Sequence, residues 1–254
     1  MSFVALDAAP VQRVTGPMGA ADNPASDRVV HDFFGEARTR QPGPQGFLVD
    51  FEGETTVGAH FHPVDQFQVF FGGPGSWYQR HPIDELMVHY ADAYTTYGPF
   101  GTEGGLLRFF TLRPDHSTLT AYMPGSRDKL LRKGRRNVHV SLTEQAGRCP
   151  APGDAAVHTA LADGDGLSVH LVTLGPEARI ALPTASTPRG EYRCVVSGAI
   201  VVDDTPYGPR SLGWYERDEA PATVESGPDG LALLVLRFPP DTTAHLAETA
   251  GSVR

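Results

Sequence analysis

Apolar residues in this chain fall mostly in short runs bounded by glycine, proline and acidic turns, and seldom at helical spacing. The segments GFLVDF (46–51), QFQVFF (66–71), LLRFFTL (106–112), VHVSL (138–142), LSVHLVTL (167–174), EYRCVVSGAIVV (191–202) and LALLVLRF (231–238) are rich in β-branched and aromatic side chains. Such side chains suit a pleated, half-buried surface, so each run predicts a strand. The dividers GGPG, TEGG, ADGDG and PDG predict tight turns between them. Helical periodicity is confined to DRVVHDFFGEA (27–37) and SRDKLLRKG (126–134), the second with Ser126 to cap it and Gly134 to end it. The fold class that follows is mainly β with a few short helices.

The strand pattern repeats. A shift of 125 residues places Gly73 on Gly198, Gly105-Leu106 on Gly230-Leu231 and Pro114 on Pro239. The strand at 66–71 then falls on 191–196, and 106–112 on 231–237, with no gap over about 65 residues. Two similar β-domains are expected, at 40–125 and 165–254 with its C-terminal tail. An N-terminal extension (1–39) precedes them, and a linker carrying the second helix (126–164) joins them.

Composition narrows the functional classes. The 28 glycines and 22 prolines of 254 residues argue against a mostly helical chain. A formal net charge of −9 argues against phosphate-driven nucleic-acid binding. No apolar run approaches the roughly 18 residues that span a membrane, and the start MSFVALDAAPVQRVTG lacks a secretory pattern. Cys149 and Cys194 form no metal-type CxxC. A cytoplasmic protein with reduced thiols, taking a small-molecule substrate, is expected.

Candidate chemistry concentrates in GAHFHPVDQFQVFFGG. His60 and His62 are two apart, so on a strand both imidazoles point to one face. Gln66 and Gln68 follow on the same parity, and His89 in MVHYAD lies on a later strand that can pair nearby. Three converging imidazoles offer a facial site for a divalent metal with positions open to substrate. An HxH on a strand is also an ordinary cross-strand polar pair, and that reading stays open.

The spacing Gly53…His60-x-His62-x3-Gln66-x6-Gly73 resembles the first motif of the cupin superfamily, with glutamine at the usual glutamate position. His89 falls where the second motif places its histidine, but the PxG that usually precedes it is missing. The resemblance implies two tandem cupin-type β-barrels (a double-stranded β-helix, jelly-roll-like). It implies one divalent transition metal per chain, Fe(II) foremost and Mn, Ni, Zn or Cu as alternatives, held by His60, His62, His89 and Gln66. At the repeat offset the second half is degenerate, with Ala185, Thr187 and Trp214 in place of the histidines and Glu191 in place of Gln66. A homodimer through sheet edges is a further family expectation.

Glutamine cannot act as a general base, so proton transfer falls to other groups. Tyr94 and Tyr97 are candidates as donors or phenolates and Asp92 as base, against their ordinary roles in packing and turn capping. Gln68, Phe70, His81 and Arg108 are candidate substrate contacts, Arg108 through a bidentate carboxylate pair or else a surface ion pair. The cluster Lys129, Arg132, Lys133, Arg135 and Arg136 is an anion clamp or a solvated linker face. Three functions fit: a dioxygenase on a chelating, enolisable or anionic substrate (β-diketone, phenolate or hydroxy acid), a redox-neutral lyase, decarboxylase, isomerase or hydrolase, and a binding module without turnover.

Overall fold

The computed structural model describes residues 2–19, 25–39, 41–83, 85–130, 135–182, 189–217, 219 and 223–243. The chain is mainly β and divides into two compact units of cupin-type architecture. One is built from Val11–His139 and the segment from Asp241 onward, the other from the segment up to Pro10 and Val140–Pro240.

In the first unit a seven-stranded antiparallel sheet runs in the order Asn137–Ser141, Met87–Ala91, Gln66–Phe71, Arg108–Arg113, Gln45–Glu52, Ala25–Phe34, Val11–Pro17. A four-stranded sheet follows the order Thr55–Val57, Phe100–Thr102, Ser76–Tyr78, His81–Pro82. One core joins them: Val49, Phe51, Phe70, Met87 and Phe109 from the large sheet meet Val57, Tyr78 and Phe100 from the small one. Alternation along Gln66–Phe71 sends Gln66, Gln68 and Phe70 to this interior. The Gln66–Phe71 strand is buried at every position but the last, which is why it reads as a near-continuous apolar run.

The second unit forms one eight-stranded sheet. Its main order is Ser2–Val4, Leu212–Tyr215, Glu191–Val202, Val224–Arg237, Ser168–Leu174, Ala155–Ala162, with Thr205–Tyr207 and Arg179–Ile180 on side branches. Val172, Leu174, Val195, Ile200, Leu231, Leu233 and Val235 make its core. Register shifts at Val195/Ser197 and Gly198/Ile200 kink the longest ladder.

Expectation and structure differ at three places. The segment at 27–37 is a strand, Ala25–Phe34, paired on both sides by Val11–Pro17 and Gln45–Glu52. Ladder pairing and the Val29-Val30 and Phe33-Phe34 pairs outweigh the weak helical spacing. The segment expected as an N-terminal extension thus lies within a sheet. At 126–134 the structure shows a single 3-10 turn, Arg127–Lys129, and Gly134, Arg132 and Lys133 lie outside the described residues.

The repeat is present with a slip of one residue. Phe70 pairs with Phe109 in the first unit, whereas Val195 pairs with Leu233 in the second. Arg237 therefore corresponds to Arg113 and not to Leu112. The repeated glycines mark the same close approach in both units. A Cβ on Gly105 would stand 1.7 Å from the Pro74 carbonyl oxygen, and one on Gly198 2.1 Å from that of Gly230.

Candidate functional site

His60 opens a two-residue strand, His60–Phe61, held on both sides, and His62 follows it directly. The strand pairs with Ala121–Tyr122, and His60 exchanges backbone hydrogen bonds with Tyr97 (3.1 and 3.0 Å). Both imidazoles are buried, with ring centroids 5.2 Å apart and planes at 87°. The Nδ1–H of His60 donates to the Gly58 carbonyl and that of His62 to the Leu119 carbonyl, each at 2.6 Å. Because a carbonyl only accepts, both rings carry the proton on Nδ1 and the lone pair on Nε2. Burial pushes His60 down to about 4, with Arg113 adding to the effect. Burial, then Arg113, holds His62 well below the usual imidazole range. Both are neutral near pH 7.

Beside them lies a buried side chain that the sequence reading did not single out. Arg113, the last residue of its strand, is 4% exposed. Its Nε donates to Gln66 Oε1 (2.8 Å), one terminal nitrogen to Gln45 Oε1 (2.5 Å) and the Ser117 carbonyl (2.7 Å), and the other to His62 Nε2 (3.1 Å). The Gln66 amide nitrogen donates to the Tyr97 hydroxyl at 2.7 Å. Desolvation raises the Tyr97 phenol above its ordinary value despite Arg113, so it keeps its proton. The available signal was parity: Thr111 and Arg113 alternate inward as Gln68 and Gln66 do on the neighbouring strand.

These groups surround a cavity of about 90 Å³. His60, His62, Gln68, Tyr97 and Arg113 form its polar lining, Phe47, Val49, Phe100 and Phe109 its apolar wall, and half-buried Met18, Thr120 and Tyr122 its rim. In low-dielectric surroundings the guanidinium charge acts strongly on anything inside.

Of the candidate residues, His60, His62, Gln68 and Tyr97 meet at this cavity, with Gln66 just behind it. His89 does not join them. It is fully buried opposite Gln68, and the Asn137 amide, anchored by donation to the Thr96 carbonyl, turns its Oδ1 to His89 Nε2 (3.0 Å). His89 Nδ1 lies 3.0 Å from the Gln68 amide, so both ring nitrogens are engaged. Asp92 accepts from the Tyr90 hydroxyl and pairs with Arg136, whose Nη2 stands 3.0 Å from its Oδ1. Tyr94 packs on Phe61 outside the cavity lining. Phe70 is core, with its ring 5.2 Å from those of Phe100 and Phe109. His81 is exposed on the His81–Pro82 strand beside Trp77. Arg108 is paired with Asp50, one contact at 2.8 Å.

The ligand set expected for a divalent ion therefore does not assemble. Among the described residues no group of three or more His, Cys, Asp or Glu side chains is placed to hold a metal. The His62 lone pair receives the guanidinium, the Gln66 oxygen is bonded to Arg113, and His89 is spent elsewhere. The donors in this arrangement do not fit the ion.

In the second unit the matching cross-strand slot holds charges. Glu191 Oε1 accepts from Arg193 Nε and its Oε2 from Arg237 Nε, each at 2.8 Å, and all three side chains are buried. The Arg193 guanidinium lies 4.2 Å over the Tyr215 ring.

No protein-family model matches the chain, and no curated protein matches it. Solved structures do. A candidate dioxygenase from Nostoc punctiforme is 12% identical with a TM-score of 0.63, over 95% of this chain and 83% of that one. Oxalate decarboxylase from Bacillus subtilis at pH 4.6 is 12% identical with a TM-score of 0.57, over 94% and 76%. Another structure of that enzyme, whose description refers to its Mn(II) centres, matches at 12% and 0.57 over 95% and 78%. At this identity the likeness shows the fold, and both are proteins of the cupin type.

Proposed function

We propose that this chain is a cupin-fold enzyme that acts on a small molecule in the cavity of its first unit, by redox-neutral chemistry of the lyase or decarboxylase type. The observation that carries the reading is the pairing of a neutral imidazole, His60, with a protonated phenol, Tyr97, on one small cavity. A neutral imidazole whose Nε2 lone pair is left open takes a proton, and a phenol held protonated gives one. Arg113 supplies the charge that favours an anionic transition state. Oxalate decarboxylase among the fold neighbours adds support for a redox-neutral reaction.

A second reading is a metal-dependent enzyme, a dioxygenase included. It draws on the Nδ1 anchoring of His60 and His62, which is how metal-bound imidazoles are commonly oriented, and on the Mn(II) centres of a fold neighbour. It requires Arg113 to withdraw from His62.

The test is turnover of a panel of small oxo- and hydroxy-acids followed by NMR, in air and under nitrogen, with EDTA and with added Mn(II) or Fe(II). Product under nitrogen in EDTA, reduced at least about a hundredfold by His60→Ala, is the expected result. Turnover only with metal and oxygen supports the second reading. No turnover under any condition overturns both and leaves a binding module.

A further inference from the structure

The disagreement between the expected metal ligands and the observed site carries an inference about the substrate. Where a divalent ion would draw on the lone pairs of His62 and Gln66, the guanidinium of Arg113 meets both acceptors. It is a permanent cation fixed by two glutamines, a carbonyl and an imidazole, and it lines the cavity. Its field reaches the other lining groups, adding to the lowering that burial imposes on His60 and His62 and partly opposing the rise that burial imposes on Tyr97.

The remaining groups define what complements that charge. The Tyr97 hydroxyl accepts from Gln66, and its own proton has no acceptor among the described residues. His60 Nε2 likewise has no hydrogen-bond partner among them, because only Nδ1 is engaged. The cavity thus presents a cation, a hydroxyl donor and an imidazole acceptor close together. A carboxylate satisfies the first two, and a hydroxyl on the adjacent carbon satisfies the third. At about 90 Å³ the space holds a few water-sized positions, which limits the ligand to a short chain.

The second unit shows the same slot completed from within. There Glu191 puts a carboxylate between Arg193 and Arg237, while the first unit has the neutral Gln66 beside Arg113. We propose that the first unit binds a short 2-hydroxycarboxylate without a metal ion, the guanidinium of Arg113 taking the cation's role, Tyr97 donating to the carboxylate and His60 accepting from the hydroxyl. This names the substrate class of the cavity and rests on its being the working site.

The experiment is calorimetric titration of the full-length, EDTA-treated protein with glycolate, with acetate, which lacks the hydroxyl, and with glycolamide, the neutral analogue. Glycolate is expected to bind saturably at one site per chain, acetate several-fold and glycolamide at least about tenfold more weakly. Gln66→Glu, which copies the second unit by supplying an internal carboxylate, is expected to weaken glycolate at least about tenfold without lowering the melting temperature. Should that variant not fold, Tyr97→Phe decides, with a loss of about fivefold or more expected and unchanged affinity overturning the proposal. It is also overturned if glycolate fails to bind, if glycolamide binds as well, or if binding appears only after Mn(II) is added. Glycolate bound while no member of the acid panel is turned over leaves this inference standing and sinks the enzymatic reading. Turnover of a neutral substrate by protein that ignores glycolate does the reverse.

Discussion

His60 and His62 have their tautomers set by the backbone around them, since each Nδ1–H faces a carbonyl oxygen at 2.6 Å. We expect both to show Nδ1-protonated, neutral signatures by ¹⁵N NMR down to about pH 5, because burial lowers His60 to about 4. Burial, only partly offset by Asn137, takes His89 to about 3. These values lie below the roughly 6.5 of an unfolded histidine, so the unfolded chain binds protons first as pH falls. Stability is therefore flat with pH above about 6.5 as far as these groups go, and is lost between about 6.5 and 4, on the order of a few kcal/mol per histidine. Urea midpoints at pH 7.5 and 5 check this, and His89→Gln should flatten the slope. A wild-type midpoint as high at pH 5 as at 7.5 would refute it. In the second unit, Glu191→Gln removes the carboxylate between two buried guanidiniums. It is expected to cost roughly 3–5 kcal/mol, read as a lowered urea midpoint, and a loss below 1 kcal/mol would contradict a structural role for that triad. The HxH was legible because two imidazoles at strand spacing are a pattern of residue types. Arg113 was not, because parity turns it inward but nothing local tells that Gln66, 47 residues earlier in the chain, will receive its guanidinium.

At the scale of the element, most strands were legible from apolar runs, and Gln66–Phe71 and Glu191–Val202 fall where the pattern placed them. Ala25–Phe34 was not, since its spacing also suits a helix and only its two neighbours in the sheet decide. Asp32 shows the cost of that placement. It is buried, accepts from the Ala37 backbone and the Gln12 amide, and desolvation raises its carboxyl above the usual range. The repeated glycines make a sharper prediction. Gly105→Ala puts a Cβ within 1.7 Å of backbone that cannot yield cheaply. A loss of about 2 kcal/mol or more is expected by thermal unfolding, while Gly104→Ala, with nothing within 4 Å but a φ of +98°, should cost less. Equal melting temperatures for the two variants would show that the close approach does not constrain the fold. The slip of one residue between the repeats could not be seen in a gapless comparison, because it is absorbed at the register shifts near Gly198.

At the scale of the molecule, both units bury polar groups inside their sheets, and in each the charged or polar cluster is satisfied largely by its own side chains. If the first unit is complete without an ion, EDTA should leave its melting temperature within about 1 °C, since a ligand that is not bound cannot stabilise by mass action. A fall of several degrees, restored by Mn(II), would mean that a resident ion displaces Arg113. Among the described residues no helix is long and apolar enough to cross a membrane. The sequence by itself determined the β class, the twofold internal repeat and the HxH, because side-chain type, parity and turn chemistry are local and survive without coordinates. Only the tertiary structure decided which groups share a cavity. His89 shares the HxH chemistry but is drawn off by Asn137 and Gln68, whereas Arg113 enters the site through cross-strand register, a long-range relation that no local pattern encodes.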